Sequence, residues 1–581
     1  MPFLRCVCSP YVIQPAYDNI MAVMVKSRLF SSTQNTVISA AFVLALAYGG
    51  SAVLGLIRSR LLSTFFGDGV DLSVFYIADR IPSLIYSILA VGALSSVFIP
   101  VFSYEITKSK AGAFKTASNI VSLCLGIFIL FSLVVFMFSP QIIDALSAGK
   151  FSYYQVRMGA ALMRLMLAAQ MILLVSSFLG CILQSFRYFL VPALAPIFYN
   201  VGMIGGLVLF TARFGIYAAA LGGLLGSVLH FAVQAIFIGR TGFTYSFGVD
   251  FKDKASLTMV KLLPPRILSL AASQISITIT NFLAVLVSTG SVIYIRFADQ
   301  LQSFPVNFFG ASIALAALPS LSSESGQEDS ETFRKTFITS FFQMMFLAVP
   351  ASVIIIILRV PAVRLVYGAS RFPWDATLQT ALLLGIFGVS VFSQGAVLLL
   401  NRAFYALKNT KTPLGVSLIS ICTTTLFSFV AVKYLGLGAW AIAAAITLGS
   451  FIDFILLLAI LQKHIGKLGF SDFYTPFLKI ALSALAMGSS IYIPLKLLDI
   501  RVFDTTRTIE LLALTAVVTL SGMASYLFFT RMLHVKEIDL PIRIETEDSR
   551  VAYFRQVENG LYIRMALLRP ATNQASLPGR Y

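Results

Sequence analysis

Eight ionisable side chains stand inside otherwise apolar stretches of this chain: Arg58, Arg60, Asp79, Arg80, Arg164, Arg266, Arg296 and Asp299. Guanidinium groups outnumber carboxylates six to two. At a bilayer centre each would cost about 2.5–3.5 kcal/mol on insertion scales, so such groups normally face a cavity or a partner. A cavity lined this way suits an anion, because the planar fork of guanidinium donors matches phosphate oxygens. The chemistry indicated is binding, not bond-making: no nucleotide-binding loop and no Ser/His/Asp arrangement is legible, and no enzyme activity is expected. Plainer readings stand beside this one. Arg58 and Arg60 lie less than two turns from the end of their span and can snorkel to the interface. Arg296 and Asp299, three apart on one helix, can pair with each other. Arg266 follows Pro264-Pro265 near a span start and can anchor it there. Arg164 reads as structural or interfacial. Asp79 and Arg80 are adjacent, so they point about 100° apart on a helix and cannot face the same way.

Such residues need long helices to position them. About fourteen hydrophobic stretches run from Thr36 to Arg531, most of 20 residues or more. A bilayer core of roughly 30 Å needs about 20 apolar helical residues to cross it. A mean hydropathy of +0.87 with 12% charged residues fits an all-α polytopic membrane protein and no soluble class. The spans fall at 36–64, 72–104, 116–139, 158–185, 189–212 and 215–239, then 263–288, 291–321, 336–358, 377–405, 413–434 and 438–462, with a final pair at 474–498 and 508–531. The domains expected from this are an arm at 1–35, six helices within 36–240, a polar linker at 241–262, six more helices within 263–463, a last pair within 474–531 and a tail at 532–581.

The chain repeats itself. Ala78-Asp79-Arg80-Ile81, then Gly92 and Pro100, finds an echo in Ala298-Asp299-Gln300-Leu301, then Gly310 and Pro319. Gln184-Ser185-Phe186-Arg187 with Pro192 matches Tyr405-Ala406-Leu407-Lys408 with Pro413 in position and spacing. Partners lie six spans apart, and an even offset keeps the membrane sense, so the copies are parallel repeats. That is a transporter architecture, with the site between the halves near the midplane. Gly49, Gly50 and Gly55 interrupt the first span as hinge or packing positions. Pro264, Pro265 and Pro305 are expected to break their helices locally.

The balance of 43 Lys+Arg against 25 Asp+Glu reads as the cytoplasmic-loop excess of basic residues, not as nucleic-acid binding. With the N-terminus inside, inside loops hold more of these cations than outside loops, which places both termini in the cytoplasm. The 359–371 loop, with Arg359, Arg364 and Arg371, runs against that bias. Some of the charge can also attract anionic lipid. Cys6 and Cys8 have the wrong spacing for a lone zinc site, Cys124, Cys181 and Cys422 lie in apolar spans, and only three His are present, so no metal or other cofactor is expected. The first 33 residues lack the apolar core of a signal peptide. A membrane glycosyltransferase would show acidic residues in its first outside loop. Asp68 and Asp71 are there, without the large outer domain such enzymes need.

Several passages resemble the lipid II flippase MurJ (MviN) family, of the multidrug/oligosaccharidyl-lipid/polysaccharide exporter superfamily. They are Ser51 to Arg58 with Phe65-Phe66-Gly67, Ala78 to Ser83 through Gly92 to Pro100, Val191 to Pro196 with Asn200, Ser273 to Ser276, Leu318 to Ser322, and Arg402 to Leu407 with Thr410 to Pro413. The resemblance covers roughly residues 37–531. It implies fourteen helices, with two six-helix lobes around a cationic central cavity and a last pair forming a groove for a polyprenyl tail. The implied function is translocation of a polyprenyl-pyrophosphate-linked peptidoglycan precursor, lipid II, across the cytoplasmic membrane by alternating access. Arg58, Arg80, Arg266 and Arg296 would bind substrate, with Asp299 and Gln300 beside them. Departures concern the pyrophosphate clamp: Ala52, Tyr86 and Gln300 stand where the family usually has arginine, and Val91 and Ser73 where it has acidic residues. Arg296, one turn from Gln300, would compensate. The alternatives are an exporter of another lipid-linked oligosaccharide or drug, or a non-transporting homologue that scaffolds cell-wall or division proteins. A monomer is expected.

Overall fold

The computed structural model describes residues 37–91, 97–248, 250, 253–325, 330–466, 473–501 and 507–535; the expected arm and nearly all of the tail lie outside them. Among the described residues every regular element is a helix. The first half holds α1 (Val37–Phe66), α2 (Val70–Tyr86), α3 (Ile99–Lys108), α4 (Lys110–Met137), α5 (Ser139–Leu146), α6 (Tyr153–Ser185), α7 (Leu190–Phe214) and α8 (Tyr217–Ile238). The second holds α9 (Lys254–Val287), α10 (Thr289–Pro305), α11 (Ser312–Glu324), α12 (Ser330–Ile357), α13 (Arg359–Tyr367), α14 (Trp374–Val389), α15 (Val391–Ala406), α16 (Lys411–Lys433) and α17 (Ala439–Ile465). Then follow α18 (Thr475–Arg501) and α19 (Thr508–Met532). Among the described residues twelve helices, or thirteen with the bent pair α14–α15, are long and apolar enough to cross a membrane, which leaves the count of fourteen unconfirmed. The first expected span is helical for 30 residues, but the side chains of 37–46 lie outside the description.

The packing repeats with the sequence. In the first half α1 packs on α7, α2 on α6, α6 on α8 and α7 on α8. In the second α9 packs on α16, α10 on α14, α14 and α15 on α17, and α16 on α17. Two six-helix lobes result, with α18 added against α12 and α19 against α18 and α13. Finer features repeat too. A π turn follows the second helix of each lobe, at Ser87–Val91 and Val306–Ala311. The matched loops end their helices alike: Arg187 and Lys408 both adopt positive φ, 65° and 57°. Tyr188 N donates to Leu183 O at 2.9 Å and Asn409 N to Phe404 O at 2.9 Å, a six-to-one closure of the last turn.

Helix starts follow local side-chain chemistry. Ser152 and Gln155 form a capping box at α6. Ser288 caps α10 through Ser291 N. Asp253 caps α9 through Ser256 N, which starts that helix at Lys254, well inside the expected linker. Burial alone would raise the Asp253 carboxyl, but hydrogen bonds from Ser256, Thr116 and Ala255 together outweigh it and hold it below the usual carboxylate range. Helix contacts need close backbones, since lipid gives apolar side chains no reason to leave it. Gly202 and Gly206 of α7 meet Gly222 and Gly226 of α8, and a Cβ on Gly206 would stand 2.2 Å from Gly222 Cα.

Two expectations about broken helices change, and one holds. Helix α9 continues through Pro264-Pro265, because a proline φ near −65° is itself helical and neighbouring helices can serve the freed carbonyls. The side chains of Pro264, Pro265 and Arg266 lie outside the described residues. Pro305 does end regular geometry, at the π turn. The tenth span is bent by 46° between Val389 and Val391. Helix α1 is unbroken at Gly49, Gly50 and Gly55; a Cβ on Gly49 or Gly55 would meet nothing within 4 Å among the described residues.

Candidate functional site

A cavity of about 430 Å³ lies between the lobes, lined by α1, α2, α7 and α10. It brings together Arg58, Asp79, Tyr76, Arg296, Asp299 and Gln300. Arg58 Nη1 donates to Asn200 Oδ1 at 3.2 Å, and Asn200 in turn donates to Pro196 O at 3.0 Å and to Ser51. Arg58 Nε is buried and has no hydrogen-bond partner among the described residues. The Arg296 guanidinium lies 5.4 Å from the centre of the Tyr76 ring. No ion pair within 4.0 Å joins Arg296 to Asp299 among the described residues; Asp299 Oδ1 instead accepts from Gln302 Nε2 at 3.0 Å. Gln302 Oε1 accepts from Gln394 Nε2 at 3.1 Å, and Gln394 also donates to Ser390 Oγ at 2.9 Å, at the bend between α14 and α15. Gln300 bridges the lobes: Ser59 Oγ donates to its Oε1 at 2.8 Å, and its Nε2 donates to Gly55 O at 3.3 Å.

Arg80 is not part of this chamber. It is 7% exposed and turned onto α9, donating through Nε to Thr278 Oγ1 at 2.9 Å and through Nη2 to Gln274 O at 2.7 Å and Gln274 Oε1 at 2.5 Å. The 100° between neighbours on a helix sends Asp79 inward and Arg80 sideways. Tyr86 hydrogen-bonds Ser177 at 2.8 Å, within its own lobe. Arg164 lies 4.6 Å from the centre of the Phe136 ring and donates to Phe136 O at 3.2 Å, a structural contact. The described lining of the chamber holds two Arg and two Asp, formally balanced, with the Arg266 side chain outside the described residues. Asp79 was legible as an acid at bilayer depth; Tyr76 and Tyr199 gave no signal, because tyrosines are ordinary in such spans.

One end of the chamber is tied shut by bonds between the lobes. Arg60 Nη1 donates to Leu365 O at 2.7 Å, Ser63 Oγ to Tyr367 O at 2.9 Å and Arg371 Nη1 to Phe65 O at 2.7 Å. Tyr294 OH donates to Asp68 Oδ2 at 2.8 Å and Ser73 Oγ to Thr289 O at 2.6 Å. Beside the chamber, further along α10, lies an almost wholly apolar cavity of about 400 Å³, lined among others by Leu301, Phe304, Phe346, Met487, Met523 and Tyr526.

Two lobes of one helix order, meeting at a polar chamber inside the membrane and tied together at one end, define a multi-pass transporter. The model of the family described as "Lipid II flippase MurJ" matches residues 62–508, and the chain belongs to that family. Similar relatives include a probable lipid II flippase MurJ of Bdellovibrio bacteriovorus, 27% identical over 84% of this chain and 94% of its own length. Another, from Buchnera aphidicola of Acyrthosiphon pisum, is 27% identical over 78% and 88%. In fold the chain is similar to a lipid II flippase MurJ solved in an inward closed conformation (TM-score 0.72, 24% identity, 86% of this chain and all of that one). It is less similar to an inward-facing MATE family multidrug transporter of the MOP superfamily (TM-score 0.59, 16% identity, 71% and 94%).

Proposed function

We propose that this protein carries lipid II, a polyprenyl-pyrophosphate-linked peptidoglycan precursor, across the cytoplasmic membrane by alternating access. Both termini lie in the cytoplasm, and the protein works as a monomer. The observation that carries the reading is the shared chamber: within a matched family scaffold, Arg58 and Arg296 face one space. Arg58 takes the pyrophosphate, Arg296 supplements it over Tyr76, and Gln300 positions α1 against α10. Arg266 adds to the field. The polyprenyl tail stays in the neighbouring apolar cavity between α10, α12, α18 and α19. Opening towards the far side breaks the bonds from Arg60, Ser63 and Arg371. No covalent step is required.

The test is rescue of a bacterium depleted of its own lipid II flippase. Rescue by the chain, and its loss in Arg58→Ala at equal membrane abundance, supports the reading. Rescue that survives both Arg58→Ala and Arg296→Ala removes the chamber from the mechanism. The replaced clamp positions Ala52, Tyr86 and Gln300 favour a second reading, export of another lipid-linked sugar. Absence of rescue together with export of such a sugar selects it. Absence of any transport with retained capture of division proteins selects a scaffold.

A further inference from the structure

Arg296 and Asp299 stand one turn apart on α10, the spacing at which a guanidinium and a carboxylate pair. Among the described residues they do not pair, and Asp299 Oδ1 accepts from Gln302 Nε2 instead. The Gln302 side chain is 2% exposed and held at both ends. Its Nε2 must face Asp299, because an ionised carboxylate only accepts. That leaves its Oε1 for Gln394 Nε2, which donates to it at 3.1 Å. Gln394 Nε2 also donates to Ser390 Oγ, and Ser390 Oγ donates to Phe387 O at 2.9 Å. Each member of this row has its donor and acceptor roles fixed by its neighbours, from the chamber carboxylate to the bend between α14 and α15.

The first lobe lacks the row. Ala78 aligns with Ala298, which puts Tyr76, Asp79 and Pro82 where the second lobe has Arg296, Asp299 and Gln302. Pro82 has no side-chain donor to offer an acid. Gln184 aligns with Tyr405, which puts Leu173 at the place of Gln394, on a helix α6 that runs unbroken for 33 residues. Burying two amides costs desolvation that Pro82 and Leu173 avoid at the matching places. The amide pair occurs in the lobe that has an arginine one turn before its acid, and Gln394 lies in the first turn after the 46° bend.

We infer that Gln302, held in place by Gln394, is a positioning residue of the transport site: it withholds the Asp299 carboxylate from Arg296 and so leaves the Arg296 guanidinium for an anionic head group. The inference rests on the chamber being the cargo site. Arg296 meets the ring of Tyr76, and a contact with a ring face uses none of the guanidinium N–H donors. Without the hold from Gln302, Asp299 and Arg296 close on each other, in a chamber where charges attract more strongly than at an exposed surface. The lining then keeps its count of charges, but Arg296 is spent on its own helix and Arg58 is left to take the anion alone.

The test reads Arg296 first without cargo and then with it. Phenylglyoxal modifies guanidinium groups, and its rate at Arg296 in the full chain in detergent is followed by mass spectrometry of the peptide. Q302M, close in shape and without an amide, should slow that rate about fivefold, the worth of one new ion pair, and leave the rate at Arg58 unchanged. Q394M should act in the same direction, by about twofold. Adding D299N to Q302M should restore the rate, because no acid is left to pair. In vesicles Q302M should bind lipid II about fivefold more weakly than the unaltered protein, and Q302M/D299N at least as tightly. An unchanged Arg296 rate in Q302M overturns the inference, as does a slowed rate that D299N fails to restore. If Q302M does not fold, Q394M with and without D299N carries the same test. Slowed modification with unchanged lipid II affinity overturns the positioning role, since Arg296 then does not hold cargo. Failure of the unaltered protein to bind lipid II strikes the cargo reading of the chamber, while the cargo-free rates still decide whether Gln302 keeps Asp299 from Arg296.

Discussion

The central chamber and the edge cavity of the second lobe have nearly the same volume, about 430 and 390 Å³, and differ in the charged residues of their described linings. In the chamber Arg58 and Arg296 stand with Asp79 and Asp299. At the edge, Arg359, Arg364 and Lys496 stand with no carboxylate among the described lining. A transport site must release what it binds, and nearby carboxylates weaken its hold on an anion. Guanidinium groups alone therefore do not mark the transport path; their counter-charges and their place between the lobes do.

That contrast makes graded predictions. The largest effect on cargo belongs to Arg58→Ala, which removes a charged donor. Lipid II transport should fall roughly 10- to 100-fold, measured as rescue and as flipping in vesicles. Next is Gly67→Ala. Gly67 has φ +62°, and a Cβ there would stand 1.8 Å from Arg371 O. The bonds tying α1 to the 365–371 segment should loosen by about tenfold in equilibrium, seen as faster labelling of a cysteine placed in the chamber from the side those bonds close. Asp79→Asn makes the chamber resemble the edge cavity. Lipid II should bind about fivefold more tightly and turn over more slowly; weaker binding would contradict the charge-balance argument. The smallest effect on cargo is expected for Arg80→Ala. Its loss strips partners from Gln274 and Thr278 and should lower unfolding stability by about 2 kcal/mol, with cargo affinity unchanged. A melting curve in detergent and a binding curve on the same sample separate the two.

Arg80 also shows how far the residues alone could be read. Its type and depth marked it as costly, and that was correct. Whether the cost was met by cargo or by a neighbouring helix depended on which side of α2 faced α9. Its neighbour Asp79 faces the chamber, and one residue of helical rotation separates the two roles. Asn200 illustrates the reverse: an ordinary amide in a span, it matters because α7 brings it to 3.2 Å from Arg58. The edge cavity was visible in the chain only as a loop with too many cations. Lys496 lies more than a hundred residues away and joins it only through the packing of α18.

What the chain determined by itself were the quantities that depend on local composition. The apolar runs require helices, because lipid offers backbone groups no other partner. The matched loops around Arg187 and Lys408 require a parallel repeat, and they close their helices with the same bonds. Tertiary structure decided what depends on the rotation and contact of those helices. It set the partner of each arginine, the 46° bend near Ser390, the passage of α9 through Pro264-Pro265, and the charge balance of each cavity. A charge buried in a membrane must be answered by something, and only the folded arrangement of distant helices determines what answers it.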